Sequence, residues 1–376
     1  MARGSVAVDV DRPRSASMTG ISAEHRADPL QRSLLCTLGP SSLSRSVIAQ
    51  LAKAGATTFR LNMSHTDLES LESTIELVQE CTEVPICIDT EGAQIRTGTM
   101  REGTSLTLGE EVRLVSEPIR GDAGTIPLTP AFAVGQLVPG ARMSIDFDSA
   151  LLRVDRVHGD TAVATVLSGG DVASRKAVTA LPSPTLPALS EKDLGAIQIG
   201  RSRGIQEYAL SFCEDPEAIL RLRGLAGPRS IVVAKIESRR GTSRLEPIAR
   251  SADRLLIDRG DLSREVRLEA IPLLQKAIIR KANSLRVPVY VATNLLESMV
   301  GRRVPTRAEV NDVINTLLDG ADGLVLAAET AVGKFPVQAA EMIASLIQEY
   351  SGSIGEYRVG DLLGRHPLAS DDPAES

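Results

Sequence analysis

The sequence predicts a closed parallel (β/α)8 barrel, the TIM-barrel architecture of the α/β class, with an all-β lid domain inserted after the third strand. Three observations predict it. Eight short apolar runs divide residues 31–330, each ending in a polar or charged cluster. Helical patterns of 10 to 20 residues lie between most of these runs, and strand–helix alternation repeated eight times closes a barrel. One connection, residues 99–178, breaks the rhythm with Gly/Pro turns and two-residue alternation, the mark of sheet without helix.

Residues 1–30 mix Arg, Asp, Ser and Pro without periodicity and read as a mobile tail, as do residues 353–376. The barrel is assigned to 31–98 and 179–352, with strands Leu34–Leu38, Thr57–Asn62, Pro85–Asp89, Tyr208–Phe212, Ile231–Glu237, Arg254–Asp258, Pro288–Thr293 and Gly323–Ala327. Helix Ser46–Lys53 sets Val47, Ile48 and Leu51 on one face and stops at Gly55. Ser190–Asp193 opens another helix, and Thr306–Glu309 forms a capping box before Val310, Val313, Ile314 and Leu317. The insert leaves from the C-terminal end of the third strand, the catalytic face of a barrel, where it is placed to act as a lid.

Bulk composition narrows the function. Apolar content of 43% and charged content of 24% are ordinary for a globular chain of 376 residues. A net charge of -6 argues against non-specific nucleic-acid binding, and 2% aromatics with no Trp excludes a base-stacking platform. No run approaches the roughly 18 apolar residues of a membrane span, and no signal peptide opens the chain, so a cytoplasmic location is expected. Cys36, Cys81, Cys87 and Cys213 lack CxxC spacing and are expected to be reduced and buried.

The most informative chemistry lies in Ile231–Glu237 and Leu255–Asp261. Lys235 and Glu237 are two apart on a strand and share a face, and Asp261 is read as ending the next strand. A lysine beside two carboxylates suits a divalent cation and an anionic substrate; the competing reading is a buried salt bridge. Gly260 and Asp261 are read as preceding a helix, where free N–H groups hold a carboxylate or phosphate.

The strand ends, taken in order, resemble those of the pyruvate kinase family. The matching segments are Cys36–Pro40, Arg60–His65, Asp89–Gly98, Leu186–Asp193, Ala234–Glu237, Arg259–Leu262, Glu297–Met299, Pro305–Val310 and Gly333–Pro336. The resemblance implies phosphoryl transfer between phosphoenolpyruvate, or a related enol phosphate, and ADP through a metal-stabilised enolate. It implies pyruvate and ATP as the partner ligands of the reverse direction. It makes Glu237 and Asp261 the ligands of Mg²⁺ or Mn²⁺, and Lys235, Thr293 and Arg60 the catalytic residues. Gly260, Asp261 and Thr293 would bind substrate; Arg60, His65, Arg96 and the lid residue Lys176 would hold phosphates. Asn62, Ser64, Asp89 and Thr90 match a monovalent cation set. Lys235 is expected to matter for turnover far more than for folding.

Several positions depart from the family pattern. Glu91 inverts a charge, and Gln94 leaves a K⁺ requirement open. Ser263-Arg264, Ala327-Ala328, Asn294 and Phe147 also differ. Only about 25 residues follow the last barrel helix, so no activation by sugar bisphosphates is expected. Two other functions stay open. Arg60, Arg96 and Lys176 count against a metal-dependent lyase or aldolase acting on pyruvate-like enolates. Lys235, Glu237, Asp261 and Thr293 count against a non-catalytic binding protein. The Val310–Leu317 face serves either the barrel interior or a homodimer through the barrel.

Overall fold

A computed structural model describes residues 32–352 apart from 93 and 147, so the expectations for both tails and for Phe147 lie outside the described residues. Eight barrel strands stand within two residues of the sequence reading: β1 Ser33–Thr37, β2 Thr58–Asn62, β3 Ile86–Asp89, β4 Glu207–Leu210, β5 Ile231–Ile236, β6 Arg254–Asp258, β7 Val289–Ala292 and β8 Gly323–Leu326. Each pairs in parallel with its chain neighbours, and β8 closes on β1 through Ser33↔Gly323 to Cys36↔Leu326. Both faces of such a sheet are covered, which is why the strands read as continuous apolar runs.

The outer faces pack on helices. Ile48 and Leu51 of helix Arg45–Lys53 are fully buried, and Gly55 at φ +105 turns the chain into β2. The two capping boxes form: Ser190 with Asp193, and Thr306 with Glu309. Val313 and Leu317 of helix Arg307–Leu318 are fully buried, while Val310 and Ile314 pack half-buried on the same core. That apolar face therefore packs against the outer side of the barrel sheet.

The insert is a second closed sheet. Among the described residues its strands are Ile95–Thr97, Glu111–Val115, Thr125–Thr129, Arg142–Ile145, Ala150–His158, Thr161–Ser168 and Ala177–Leu181. All pairings are antiparallel except Glu111–Val115 with Thr125–Thr129. The sheet extends past the 99–178 read from sequence because its first and last strands pair with each other, Arg96 against Ala177 and Ile95 against Val178. Its core, including Val112, Leu114, Ile126 and Leu152, is separate from that of the barrel.

Cys36, Cys87 and Cys213 are buried and free, but Cys81 at a helix end is only half-buried. No described helix is long and apolar enough to cross a membrane.

Candidate active site

Side chains two apart on a strand face the same way. One interior layer is apolar: Leu35, Cys87, Ala209, Val233, Leu256 and Val325. Two residues further along the strands, towards the C-terminal rim, the same faces carry Thr37, Asp89, Ser211, Lys235 and Asp258, all buried. Arg60 joins them from β2. It is read from sequence as a strand-end residue but lies mid-strand and 4% exposed, donating to Asp89 Oδ2 at 2.7 Å and to Thr37 Oγ1 at 3.0 Å. Lys235 Nζ stands 3.0 Å from Ser211 Oγ, 3.2 Å from Glu237 Oε2, 3.4 Å from Asp89 Oδ2 and 3.8 Å from Asp258 Oδ2. Burial alone would lower its pKa; Asp89, Glu237 and Asp258 outweigh burial and raise it, so the ammonium stays charged.

Glu237, Asp258 and Asp261 each offer a carboxylate oxygen, all within 4.8 Å of one another. Phe212, held at φ +49, donates its N–H to Glu237 Oε1 at 2.7 Å. Oε2 is buried and receives no hydrogen bond. This all-oxygen set, in which Glu237 Oε2 has the Lys235 ammonium beside it but no hydrogen bond, fits a hard divalent cation, with Glu237 and Asp261 as the ligands first in view. Burial pushes Glu237 up to about 8, with Asp261, Asp258 and Asp89 adding to the rise and Lys235 opposing it. Asp261 is also raised, by burial and then Asp258, although Arg264 pairs with it at 3.1 Å.

A cation must displace the Glu237 proton, so affinity should rise with pH until Glu237 ionises near pH 8. Below that, Mn²⁺ affinity should fall by about tenfold per pH unit, the limit set by one competing proton. Glu237→Gln should weaken binding and flatten this profile. Mn²⁺ titration between about pH 6.5 and 8.5 checks both; a flat wild-type profile would remove Glu237 from the ligand set.

The rim differs from expectation at β6 and β7. Asp258, not Asp261, ends β6; Asp261 lies in a one-turn helix, Arg259–Leu262. The Gly260 N–H is not free, because Asp258 Oδ1 accepts it at 3.2 Å, and the Asp261 N–H also donates to Asp258. Thr293 follows β7 rather than ending it, at φ +78, a strained conformation for a β-branched residue. Two groups hold it there: Arg259 donates twice to its carbonyl, at 2.7 and 3.0 Å, and its hydroxyl donates to Asp258 at 2.7 Å.

The phosphate-side residues are more dispersed. Arg96 lies in the insert's first strand rather than at the end of β3, and donates to Gln94 Oε1 and the Arg175 carbonyl. His65 is half-buried; burial, then Arg96, Arg60 and Lys192, lowers its pKa and keeps it neutral at pH 7. Lys176 pairs with Asp146 at 2.8 Å, within the insert. Of the monovalent set, Asn62 Oδ1 accepts from Ser64 N–H, Asp89 binds Arg60, and Thr90 Oγ1 accepts from Ser211 N–H. Glu91 pairs with Lys192 and accepts from Ser190 Oγ, while Asp193 takes the N–H groups of Glu91 and Gly92, pinning the chain beyond β3.

A cleft of about 330 Å³ runs between the two sheets, lined by Ala177, Val178, Thr179 and Ala180 of the insert and Glu237, Asp261 and Arg264 of the barrel. The last strand of the insert thus stands over the carboxylate cluster. Asp258 and Ser211 escaped the sequence reading. The signal for both was available: each lies two residues beyond an inward apolar residue, Leu256 and Ala209.

The chain is of the α/β barrel class, an all-parallel eight-stranded barrel with a lysine–carboxylate cluster at its C-terminal rim. The sequence model of the pyruvate kinase barrel domain matches residues 30–340, and the chain belongs to the pyruvate kinase family. It is 38% identical over 314 residues to a pyruvate kinase of Methylorubrum extorquens, covering 81% of this chain and 66% of the relative. A pyruvate kinase of Mycobacterium tuberculosis is 36% identical over 325 residues, 84% of this chain and 69% of the relative. Plastidial pyruvate kinase 3 of Arabidopsis thaliana is 34% identical over 331 residues, 85% of this chain and 58% of the relative. The chain therefore spans between just over half and about two thirds of these relatives' lengths.

Proposed function

We propose that this chain is a phosphotransferase of the pyruvate kinase type, moving a phosphoryl group between an enol phosphate and a nucleoside diphosphate through an enolate. The observation that carries the reading is the Lys235 ammonium, 3.2 Å from a Glu237 carboxylate that itself lies within 4.8 Å of Asp261. Mg²⁺ or Mn²⁺ held by Glu237 and Asp261 would supply Lewis acidity at the enol oxygen and phosphoryl group. Lys235 neutralises charge on the enolate oxygen and the phosphoryl in transit. Arg60 adds a second buried cation, and Thr293 offers a hydroxyl at the face where the enol carbon takes its proton. Arg96, His65 and Lys176 serve the nucleotide side, and the insert closes the cleft against water.

Phosphoryl transfer is favoured over a lyase because Arg60 and Arg96 give a cationic surround that carbon–carbon cleavage does not need. The direct test is a coupled assay of pyruvate formation from phosphoenolpyruvate and ADP, with and without Mg²⁺ and with and without K⁺. Mg²⁺-dependent turnover is the expected result, with phosphoenolpyruvate or with another enol phosphate in its place. Failure with every enol phosphate and nucleotide tried, despite bound Mn²⁺, would return the site to the lyase or binding-protein readings.

A further inference from the structure

The most unusual feature of the site is what surrounds Asp258. Its carboxylate gathers the Gly260 N–H at 3.2 Å, the Asp261 N–H and the Thr293 hydroxyl at 2.7 Å, with Lys235 Nζ 3.8 Å away. Two backbone N–H groups, a hydroxyl and a nearby ammonium are the donor set that would receive a carboxylate next to the enolate. These are also the groups assigned from sequence to substrate binding. Here the protein supplies that carboxylate itself, 7% exposed and anchored at the end of β6.

We propose that Asp258 is a specificity-determining residue that occupies the place of a substrate carboxylate. The site then takes an enol phosphate, or the matching keto compound, with an uncharged group beside the enol carbon. The inference rests on the phosphotransferase reading above. A substrate carboxylate arriving here meets like charge and finds the three donors already engaged, and both effects select against it. A hydrogen, alkyl or hydroxyl group meets no such penalty, and a hydroxyl can donate to Asp258. The chemistry of transfer is otherwise unaltered: the bond from phosphorus to the enol oxygen breaks, a bond from phosphorus to the nucleotide oxygen forms, and the enol carbon takes a proton.

Oxalate, a planar dianion shaped like enolpyruvate, is the probe. Its binding to the full chain is measured by titration calorimetry with and without Mg²⁺, for wild type, Asp258→Ala and the near-isosteric Asp258→Asn. Mn²⁺ binding and thermal unfolding are recorded for each. Wild type should bind oxalate weakly, Asp258→Ala at least tenfold more tightly, and Asp258→Asn in between, with Mn²⁺ affinity within a few-fold throughout. Oxalate binding wild type as tightly as Asp258→Ala would overturn the proposal. So would a loss of Mn²⁺ binding in both variants, which would make Asp258 a cation ligand instead. The substrate class has its own readout: proton exchange in D₂O, followed by NMR with Mg²⁺ and ATP. Wild type should exchange the methyl protons of hydroxyacetone faster than those of pyruvate, and Asp258→Ala should reverse the order; a wild-type preference for pyruvate would overturn the assignment. Absence of Mn²⁺ binding by wild type would instead sink the metal-dependent functional reading, while the metal-free oxalate comparison would still decide on Asp258.

Discussion

Replacing Lys235 with Met should slow turnover by roughly 10²-fold or more, the scale of removing one group that stabilises a developing oxyanion. Met keeps the length of the side chain and discards the charge. The sequence reading weights Lys235 towards turnover far more than towards folding, and its burial adds a folding cost to that expectation. Lys235 is 4% exposed and lies within 4 Å of Asp89, Glu237 and Asp258, so its loss leaves buried carboxylates uncompensated. Removing one partner of a buried pair costs ~3–5 kcal/mol, and a similar loss is expected in urea unfolding without metal. Mg²⁺ should restore part of it, because a cation supplies the missing positive charge. Activity within a few-fold of wild type would exclude the role given to Lys235. A variant of full stability would show that the carboxylates simply take up protons.

Excising the insert should abolish activity while leaving the barrel folded. The structure moves the cut. The sheet begins at Ile95 and ends at Leu181, and removing only 99–178 would strand Ile95–Thr97 without its partners. A deletion spanning 95–181 removes the whole closed sheet together with its own core, and leaves Asp193 still capping its helix and binding the N–H groups of Glu91 and Gly92. Because Arg96 pairs with Ala177 as neighbouring strands, the two ends lie close and a short linker suffices. Circular dichroism and Mn²⁺ binding should survive. The expected loss of turnover has two sources: Arg96 and Lys176 go with the insert, and the cleft over Glu237 and Asp261 opens to water. A deletion variant of full activity would make the insert decorative, and one that cannot fold would place it in the core.

Periodicity and punctuation in the chain determined a great deal. Each barrel strand is a local apolar run bounded by polar residues, so all eight could be placed from sequence to within two residues, and the capping residues Ser190 and Thr306 announced their helices. The shared face of Lys235 and Glu237 follows from strand geometry alone. Barrel closure decided the rest, by bringing together residues far apart in the chain. Asp89 meets Lys235 across 146 residues, and Asp258 meets Thr293 across 35. Whether the Gly260 N–H is free or taken depends on the β6 rim bending so that Asp258 reaches back to it, and a linear pattern does not carry that. The extent of the insert was decided in the same way: Ile95–Thr97 looks like a loop after β3 and becomes a strand when Ala177 and Val178 arrive beside it. Local propensity is written residue by residue, whereas the partners that satisfy a buried charge or a backbone N–H exist only once the chain has closed on itself.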